Sequence, residues 1–346
     1  MSNVAIVILN FNGRSLLAEC LASLSRLTLP TEIVVADNGS TDDSLAYLRE
    51  RHASIRLLNL EKNWGFAEGY NRALAQIEQP WLVLLNNDAT LAPDWLEQLL
   101  AVAGEKPQAA ILGGKLLFKQ KTGEAPLVQC AGASFTDAGT AFEIGWGRPD
   151  HGQYEQARCV GSIPGAAMLI KRDVFRELGG FDAKYFAYLE DVDLCWRAWL
   201  AGYETHYVPG AVAWHHFGAS GGGRASAFRI KWMQRNRLAN MIKNLEWASL
   251  PRGMITSLTY DLYRMLEFTY RGQFKAIQAL ALGSLDFFFS LKTILIQRSL
   301  IQSRRLLKDQ ALRDKGLLVS ASAAFREYRR LSHLRQSPSS QRHIPT

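Results

Sequence analysis

Cysteine is scarce in this chain: four residues in 346, at Cys20, Cys130, Cys159 and Cys195, with no C-x-x-C pair among them. That spacing excludes a disulfide framework and suits a reducing compartment, with three of the four in the apolar or periodic settings of buried thiols. The glycine fingerprint of a dinucleotide fold is missing too, since the first apolar run is followed by NFNGRS rather than G-x-G-x-x-G. No G-x-x-x-x-G-K-[ST] occurs, which excludes a P-loop. The opening apolar run, Val4 to Leu9, has no basic flank and is too short for a secretory signal, so a cytoplasmic location is the expectation. Acid is the last shortage, and it is local. Residues 224–346 carry 22 Lys and Arg against 7 Asp and Glu, whereas residues 1–223 carry 18 against 25. A basic half of this kind is a solvated helical surface, a nucleic-acid surface or a surface for an anionic membrane.

What is present is an alternation. Apolar, β-branched runs at Val4–Leu9, Glu32–Ala36, Ile55–Leu60 and Trp81–Leu85 read as buried strands. Between them lie helical patterns: one capped by Ser15 and running through Ser25, one capped by Thr41 or Asp42 and running to Glu50, and one from Ala67 to Ile77. A fourth helix begins at Pro93. Strands and helices in alternation predict an α/β fold with a mostly parallel sheet flanked by helices, whose ligands sit at the carboxyl ends of the strands. Polar clusters stand at those ends: Asn10 and Asn12, then Asp37–Asp42, then Asn86, Asn87 and Asp88. Each cluster alone reads equally as turn chemistry; three on one rim point to a ligand. With no glycine-rich cradle, a nucleotide there has to be held by carboxylates and backbone groups, a divalent cation screening its diphosphate.

Six ordered segments between Val4 and Asn244 resemble the family 2 glycosyltransferases, in particular the bacterial branch of rhamnosyltransferases and galactofuranosyltransferases. They are VILNFNG (7–13), VVADNGSTDDS (34–44), NWGFAEGYNRAL (63–74), LLNNDATLAPDWL (84–96), GAAMLIKRDVF onward to GY (165–203) and VAWHHFGAS (212–220). The resemblance implies a GT-A fold followed by a helical C-terminal region, and a nucleotide-sugar donor. It implies that Asp37 faces the donor's base and that Asp88 touches a diphosphate-bound Mg²⁺ or Mn²⁺. The chain departs from the strict D-x-D pattern by carrying Asn86 and Asn87 ahead of Asp88; an amide oxygen can ligate such a metal but brings no charge. Asn10, Asn12, Asn38 and Gly65 complete the implied donor set. Asp191 is the implied general base with Glu190 beside it at the acceptor, although acids also favour the first turn of a helix for its dipole. His215 follows at the distance where the relatives complete the metal site, with His216 as the alternative, and strand alternation turns only one of them inward. One acid cluster on the acceptor side fits an inverting displacement. A sugar nucleotidyltransferase or a sugar-nucleotide-binding scaffold without catalysis are the alternatives.

From Arg224 the alternation stops. Arg235 and Arg237 in RIKWMQRNRLANMIKN are candidates to reach a diphosphate, with a solvated face as the alternative. The glycine-rich FGASGGG (217–223) reads as a closing loop or a linker. The stretch 276–301 is apolar enough to suggest a span, but Asp286 and Lys292 near its middle would each cost about 2.5–3.5 kcal/mol at a bilayer centre. An interfacial amphipathic helix or hairpin is the preferred reading, flanked by Arg298, Arg304, Arg305 and Lys308; a helical subdomain or homodimer interface is the alternative. No nucleic-acid motif accompanies the charge. The expected organisation is therefore a catalytic domain over 1–223, a basic helical region over 224–336 peripheral to the inner face of the cytoplasmic membrane, and a disordered tail over 337–346, acting on a lipid-linked or polysaccharide acceptor.

Overall fold

A run of apolar residues with no polar alternation leaves a strand no face for water, and Val4–Asn10 (β1) accordingly has a strand on either side. The computed structural model describes residues 2–119, 125–217, 226–324 and residue 326. After β1 come Arg14–Leu24 (α1), Glu32–Asp37 (β2), Ser44–Arg51 (α2), Arg56–Asn59 (β3), Gly65–Leu74 (α3) and Trp81–Asn86 (β4). These four strands are parallel, in the order β3-β2-β1-β4. Ser15 lies inside α1 and caps nothing; Asp42 instead accepts the N–H of Arg14 (3.1 Å) and of Ser44 (3.1 Å), tying the starts of α1 and α2 together. Thr41 does not cap α2.

Beyond β4 the sheet is mixed rather than mostly parallel. Ala89–Leu91 (β5), Trp95–Glu105 (α4), Ala109–Phe118 (β6), Leu127–Cys130 (β7), Ala133–Thr136 (β8), Ala141–Glu143 (β9), Arg148–Pro149 (β10) and Arg158–Cys159 (β11) follow. Then come Ala167–Lys171 (β12), Arg172–Glu177 (α5), Glu190–Leu200 (α6) and Glu204–His215 (β13). Strand β12 runs antiparallel to both β4 and β6, and β13 pairs in parallel with β6. Helix α6 is buried almost throughout, which its tryptophans allow: Trp196 stacks on Phe135 of β8 with ring centres 4.6 Å apart.

Past the expected boundary at 223/224, the chain packs back onto the preceding elements through its first helix. Ala227–Asn244 (α7) buries Gln234, Arg235, Asn236, Arg237, Asn240, Lys243 and Asn244. Its cations are not a solvated face. Arg237 pairs with Asp261 and Ser257, and Lys243 sits between Asp182 (2.9 Å) and Asp193 (2.8 Å). Leu250–Tyr270 (α8) and Phe274–Ser303 (α9) form a hairpin. Helix α9 lies close on α7: a Cβ on Gly283 would stand 2.4 Å from the Lys231 carbonyl oxygen, and Arg298 donates to the carbonyls at the end of α7. After Asp309–Asp314 (α10), Leu318–Val319 (β14) joins β8 and β9 as the outer strand of a small sheet. The expected loop over 217–223 (all but Phe217) and the tail over 337–346 lie outside the described residues.

Candidate active site

The carboxyl ends of β1, β2 and β4 are stitched by side-chain amides. Asn10, at the end of β1, accepts from Asn87 Nδ2 (2.8 Å) and donates to Asp37 Oδ1 (3.2 Å) and Ser40 Oγ (3.2 Å). Asp37 also accepts the Ser40 N–H (2.9 Å) and is fully withdrawn from solvent, so it is a strut for this turn as well as an acid. Asn12, held at φ 49°, accepts from the Thr41 N–H (2.7 Å) and keeps the loop after β2 against the loop after β1. A Cβ on Gly13 would lie 2.0 Å from Asn87 Nδ2, so any side chain here would displace the Asn87 amide from Asn10. Buried polar groups tolerated in such number are satisfied by one another.

Asn38 and Gly65 form a joint between the rim and the turn into α6. Asn38 is buried, donates to Gly65 O (3.0 Å) and accepts the Trp64 N–H (3.0 Å). Gly65, at φ 76°, leaves no room for a side chain: a Cβ would sit 2.5 Å from Phe186 O. That approach lets the Phe66 and Ala67 N–H groups at the start of α3 donate to the Phe186 carbonyl (2.5 and 3.2 Å). The rim is thereby fastened to the turn that leads into α6.

Two ligand-type side chains meet beside the rim. Alternation along β13 buries His215 and leaves His216 half-exposed against Glu19. His215 Nδ1 lies 3.1 Å from Gln129 Oε1, an acceptor only, so that nitrogen carries the proton. The Nε2 lone pair then faces Asp88 Oδ1 at 3.1 Å, with Asn86 Nδ2 at 3.3 Å. Asp88 is buried, and its Oδ1 has no hydrogen-bond partner. Two electron-pair donors face each other across a gap that a cation would fill, and Gln129 supplies the outer hydrogen bond that commonly orients a ligating histidine. The residues fit a divalent metal. The Asn86 amide can present its oxygen there by turning over.

The acid pair opens α6 under strain. Phe186, Tyr188 and Leu189 all have left-handed backbones, with φ of 55°, 71° and 66°, a conformation that costs each of them on the order of 1–3 kcal/mol. Asn236 Nδ2 of α7 holds the turn, lying 3.0, 3.0 and 2.8 Å from the carbonyls of Tyr185, Ala187 and Tyr188. Asn240 accepts from the Tyr185 hydroxyl and donates to Gly139 O (3.2 Å). Asp191, partly exposed, accepts from the Gly165 N–H (2.9 Å) and Val192 N–H (2.7 Å) but has no cationic partner at contact distance among the described residues. Burial raises its pKa against those two hydrogen bonds. Glu190 is pushed well above the carboxylate range, first by burial and then by the Asp191 charge, and its Oε2 has no partner. Three residues on, Asp193 is the opposite case: despite burial, Arg197 and Lys243 hold it down to about 2. Asp193 is a structural ion pair.

The Asp88–His215 pair and the acids adjoin. Asn86 N–H donates to Ala166 O (3.0 Å), and the preceding residue, Gly165, is the one bound to Asp191. Asp37, Asp88, Asp191 and His215 are thus linked within a single hydrogen-bonded neighbourhood. Arg235 and Arg237 do not reach it, since both are buried in α7 contacts. The cation that does is Arg229, stacked 4.7 Å over the Tyr188 ring and close enough to lower the pKa of both acids. Sequence reasoning missed Arg229, Gln129 and the clamp of Asn236 and Asn240. The i, i+4, i+8 spacing of Asn236, Asn240 and Asn244 was the available signal: a helix face of amides is buried only where backbone needs partners.

A family model described as glycosyl transferase family 2 matches residues 5–179. N-acetylglucosaminyl-diphospho-decaprenol L-rhamnosyltransferase of Mycobacterium tuberculosis is 32% identical over 232 residues, spanning 61% of this chain and 75% of the relative. The O-antigen biosynthesis protein RfbC of Myxococcus xanthus is 30% identical over 200 residues, 55% of this chain and 15% of that one. Among solved structures, the mannosyltransferase PcManGT of Pyrobaculum calidifontis, in complex with GDP-Man and Mn²⁺, superposes with a TM-score of 0.53 at 16% identity, over 87% of this chain and 85% of that one. GalNAc-T7 with UDP, GalNAc and Mn²⁺ gives 0.54 at 17% identity, over 69% and 47%. At such identities the likeness concerns architecture, and it is the GT-A fold. With the model spanning half the chain and the rhamnosyltransferase related over three quarters of its length, the chain belongs to glycosyl transferase family 2 and is a glycosyltransferase.

Proposed function

We propose that this glycosyltransferase moves a sugar, rhamnose before others, from a nucleoside-diphosphate donor to a hydroxyl of a lipid-linked or polysaccharide acceptor, with inversion at the anomeric carbon. The observation that carries the reading is Asp191: a carboxylate raised by burial, without a cationic partner at contact distance, one residue pair away from Asn86. In the reaction the acceptor oxygen bonds to the anomeric carbon as the bond to the diphosphate oxygen breaks. The electron pair leaves on the diphosphate, and the hydroxyl proton passes to Asp191. Glu190 sits beside it, and a raised pKa suits a group near the acceptor whose charge has to stay low. Asp88 and His215, with Asn86, would hold a divalent cation, Mg²⁺ or Mn²⁺, which when bound offsets charge on a departing diphosphate. The donor lies over the rim of Asn10, Asn12, Asp37 and Asn87. The test supplies deoxythymidine-diphosphate-rhamnose and a prenyl-diphosphate-linked N-acetylglucosamine with Mn²⁺. A disaccharide whose anomeric configuration is opposite to the donor's supports the reading; retained configuration, or nucleotide binding without transfer, defeats it.

The acceptor side also supports a place on the inner face of the cytoplasmic membrane. Helix α8 exposes Ile255, Leu258 and Leu262, and α9 exposes Leu285, Phe288 and Phe289, the last at 87%. Acids on the hairpin are already paired: Asp261 with Arg237, Glu267 with Arg271 and Asp286 with Lys231. An apolar face whose acids are neutralised, with Lys275 and Lys292 exposed beside it, complements anionic lipid. Helix α9 contains an 18-residue window of mean hydropathy 1.7 and is long and apolar enough to cross a bilayer by length and composition. Its contacts with α7 favour lying along the surface instead. Flotation with vesicles containing phosphatidylglycerol, lost in Phe289→Glu, is the expected result. Equal flotation of that variant, or a concentration-dependent dimer in its place, counts against it.

A further inference from the structure

At the far end of β13 from His215, three ligand-type side chains meet outside the site described above. Strands β11 and β13 are antiparallel with Cys159 directly opposite His206. Residues paired in that way share a face, and Glu204, two residues from His206, shares it as well. His206 Nε2 lies 2.8 Å from Glu204 Oε2 and 3.6 Å from Cys159 Sγ, and Sγ lies 3.8 Å from Oε2. We infer that Cys159, Glu204 and His206 form a second cation site, for a zinc-class transition metal, separate from the Asp88–His215 pair.

The edge lengths support this. Around a tetrahedral zinc with bonds of about 2.3 Å to sulfur and about 2.0–2.1 Å to nitrogen or oxygen, neighbouring ligand atoms stand roughly 3.3–3.6 Å apart. The two sulfur edges are within a few tenths of an ångström of that, and the His206–Glu204 edge needs to open by about half an ångström. The donor set is soft: a thiolate and an imidazole favour zinc or cobalt over Mg²⁺ or Mn²⁺. Thiolate and carboxylate together balance a divalent charge. His206 is buried while Cys159 reaches the surface, so the fourth position faces water and an ion can enter from outside. Strand β13 is bulged between Val208 and Val212, and its partner β6 advances from Leu112 to Phe118 between the positions opposite His206 and His215, roughly 20 Å, so the two sites cannot share an ion.

Such an ion would clasp β11, only two residues long, onto β13. The chain leaving Cys159 is held next by Val160 N–H to Thr205 O (3.0 Å) and Trp199 Nε1 to Val160 O (2.9 Å), then runs to Gly165 and Asp191. The clasp therefore fixes the upstream end of the segment that supports the acid pair.

Cobalt titration of the full chain tests this, read by the thiolate-to-cobalt charge-transfer band. The other three cysteines are buried, so the band reports Cys159. The expected result is one equivalent of Co²⁺ with that band, displaced by Zn²⁺ but not by Mg²⁺, and still present in Asp88→Asn. In Cys159→Ser the band disappears and Zn²⁺ binds at least about 100-fold more weakly, beyond the usual cost of losing an outer-shell partner. Zn²⁺ should also shield Cys159 of the unmutated protein from iodoacetamide, which needs no variant to fold. No sulfur band, a band that survives in Cys159→Ser, or unshielded alkylation would each overturn the assignment and leave a plain His206–Glu204 hydrogen bond.

Discussion

At the rim of β1, β2 and β4, Asn10, Asp37 and Asn87 satisfy one another and Asn38 is satisfied by Gly65 and Trp64, whereas the turn into α6 carries three left-handed residues and a glutamate oxygen with no partner. Both regions are buried and polar, yet one is closed on itself and the other is held open from outside by α7. Neutral amides can complete their own hydrogen bonds; a carboxylate that is to accept a proton has to be left without a counter-ion. The contrast recurs inside α6, where Asp193 is neutralised by Lys243 and Arg197 and Asp191 is not.

The contrast is sharpest in paired substitutions. Asp191→Asn should cut turnover about 10²–10⁴-fold with nucleotide affinity intact, checked by initial rates and calorimetry; near-normal rates would break the distinction. Asp193→Asn should leave Lys243 and Arg197 buried without their anion and cost about 3–5 kcal/mol in chemical denaturation at neutral pH. Because Asp193 is held at about 2 against an ordinary 3.8, its contribution is full above that ordinary value and lost as pH falls through about 2. The variant and the parent should therefore converge in acid. Asn236→Ala should release the strained turn and lower kcat on the order of 100-fold, the cost of roughly an ångström of misplacement, with the donor's KM little changed. Arg229→Gln removes a charge that lowers the pKa of both acids, so the acid limb of the pH–rate profile should move to higher pH. Smallest is Glu190→Gln. A carboxyl whose pKa is raised in the fold loses stability as pH rises above its ordinary value of 4.5, so at neutral pH the amide should melt about 2–4 °C higher, the gap closing as pH falls to that ordinary value.

Much of the rim was legible because its signals are local. Strand ends show in apolar runs, and polar residues just beyond them can only lie on one edge of a parallel sheet. Alternation along VAWHH put one histidine inward but did not say which; the pairing of His215 with Ala89 on β5, beside Asp88, shows that it is His215. The mixed half of the sheet was illegible, since the direction of β12 depends on where α4 and β6 return the chain. The packing role of Gly65 was illegible, because a glycine forced by a carbonyl's approach looks in sequence like one that leaves space for a ligand. The basic helix misled for a related reason: arginines and lysines on α7 read as solvated, and their partners Asp182, Asp193 and Asp261 lie far along the chain.

The amide clamp from α7 sets an order on biosynthesis. When the ribosome has delivered the residues matched by the family model, 5–179, most of the sheet can assemble, but neither the acid turn nor Asn236 has yet left the tunnel. A nascent chain can then bind nothing it is able to convert. With Asp191 as the proposed base, transfer chemistry becomes available only after α7 has emerged and docked, so a product released early by truncation or proteolysis should be inert rather than indiscriminate.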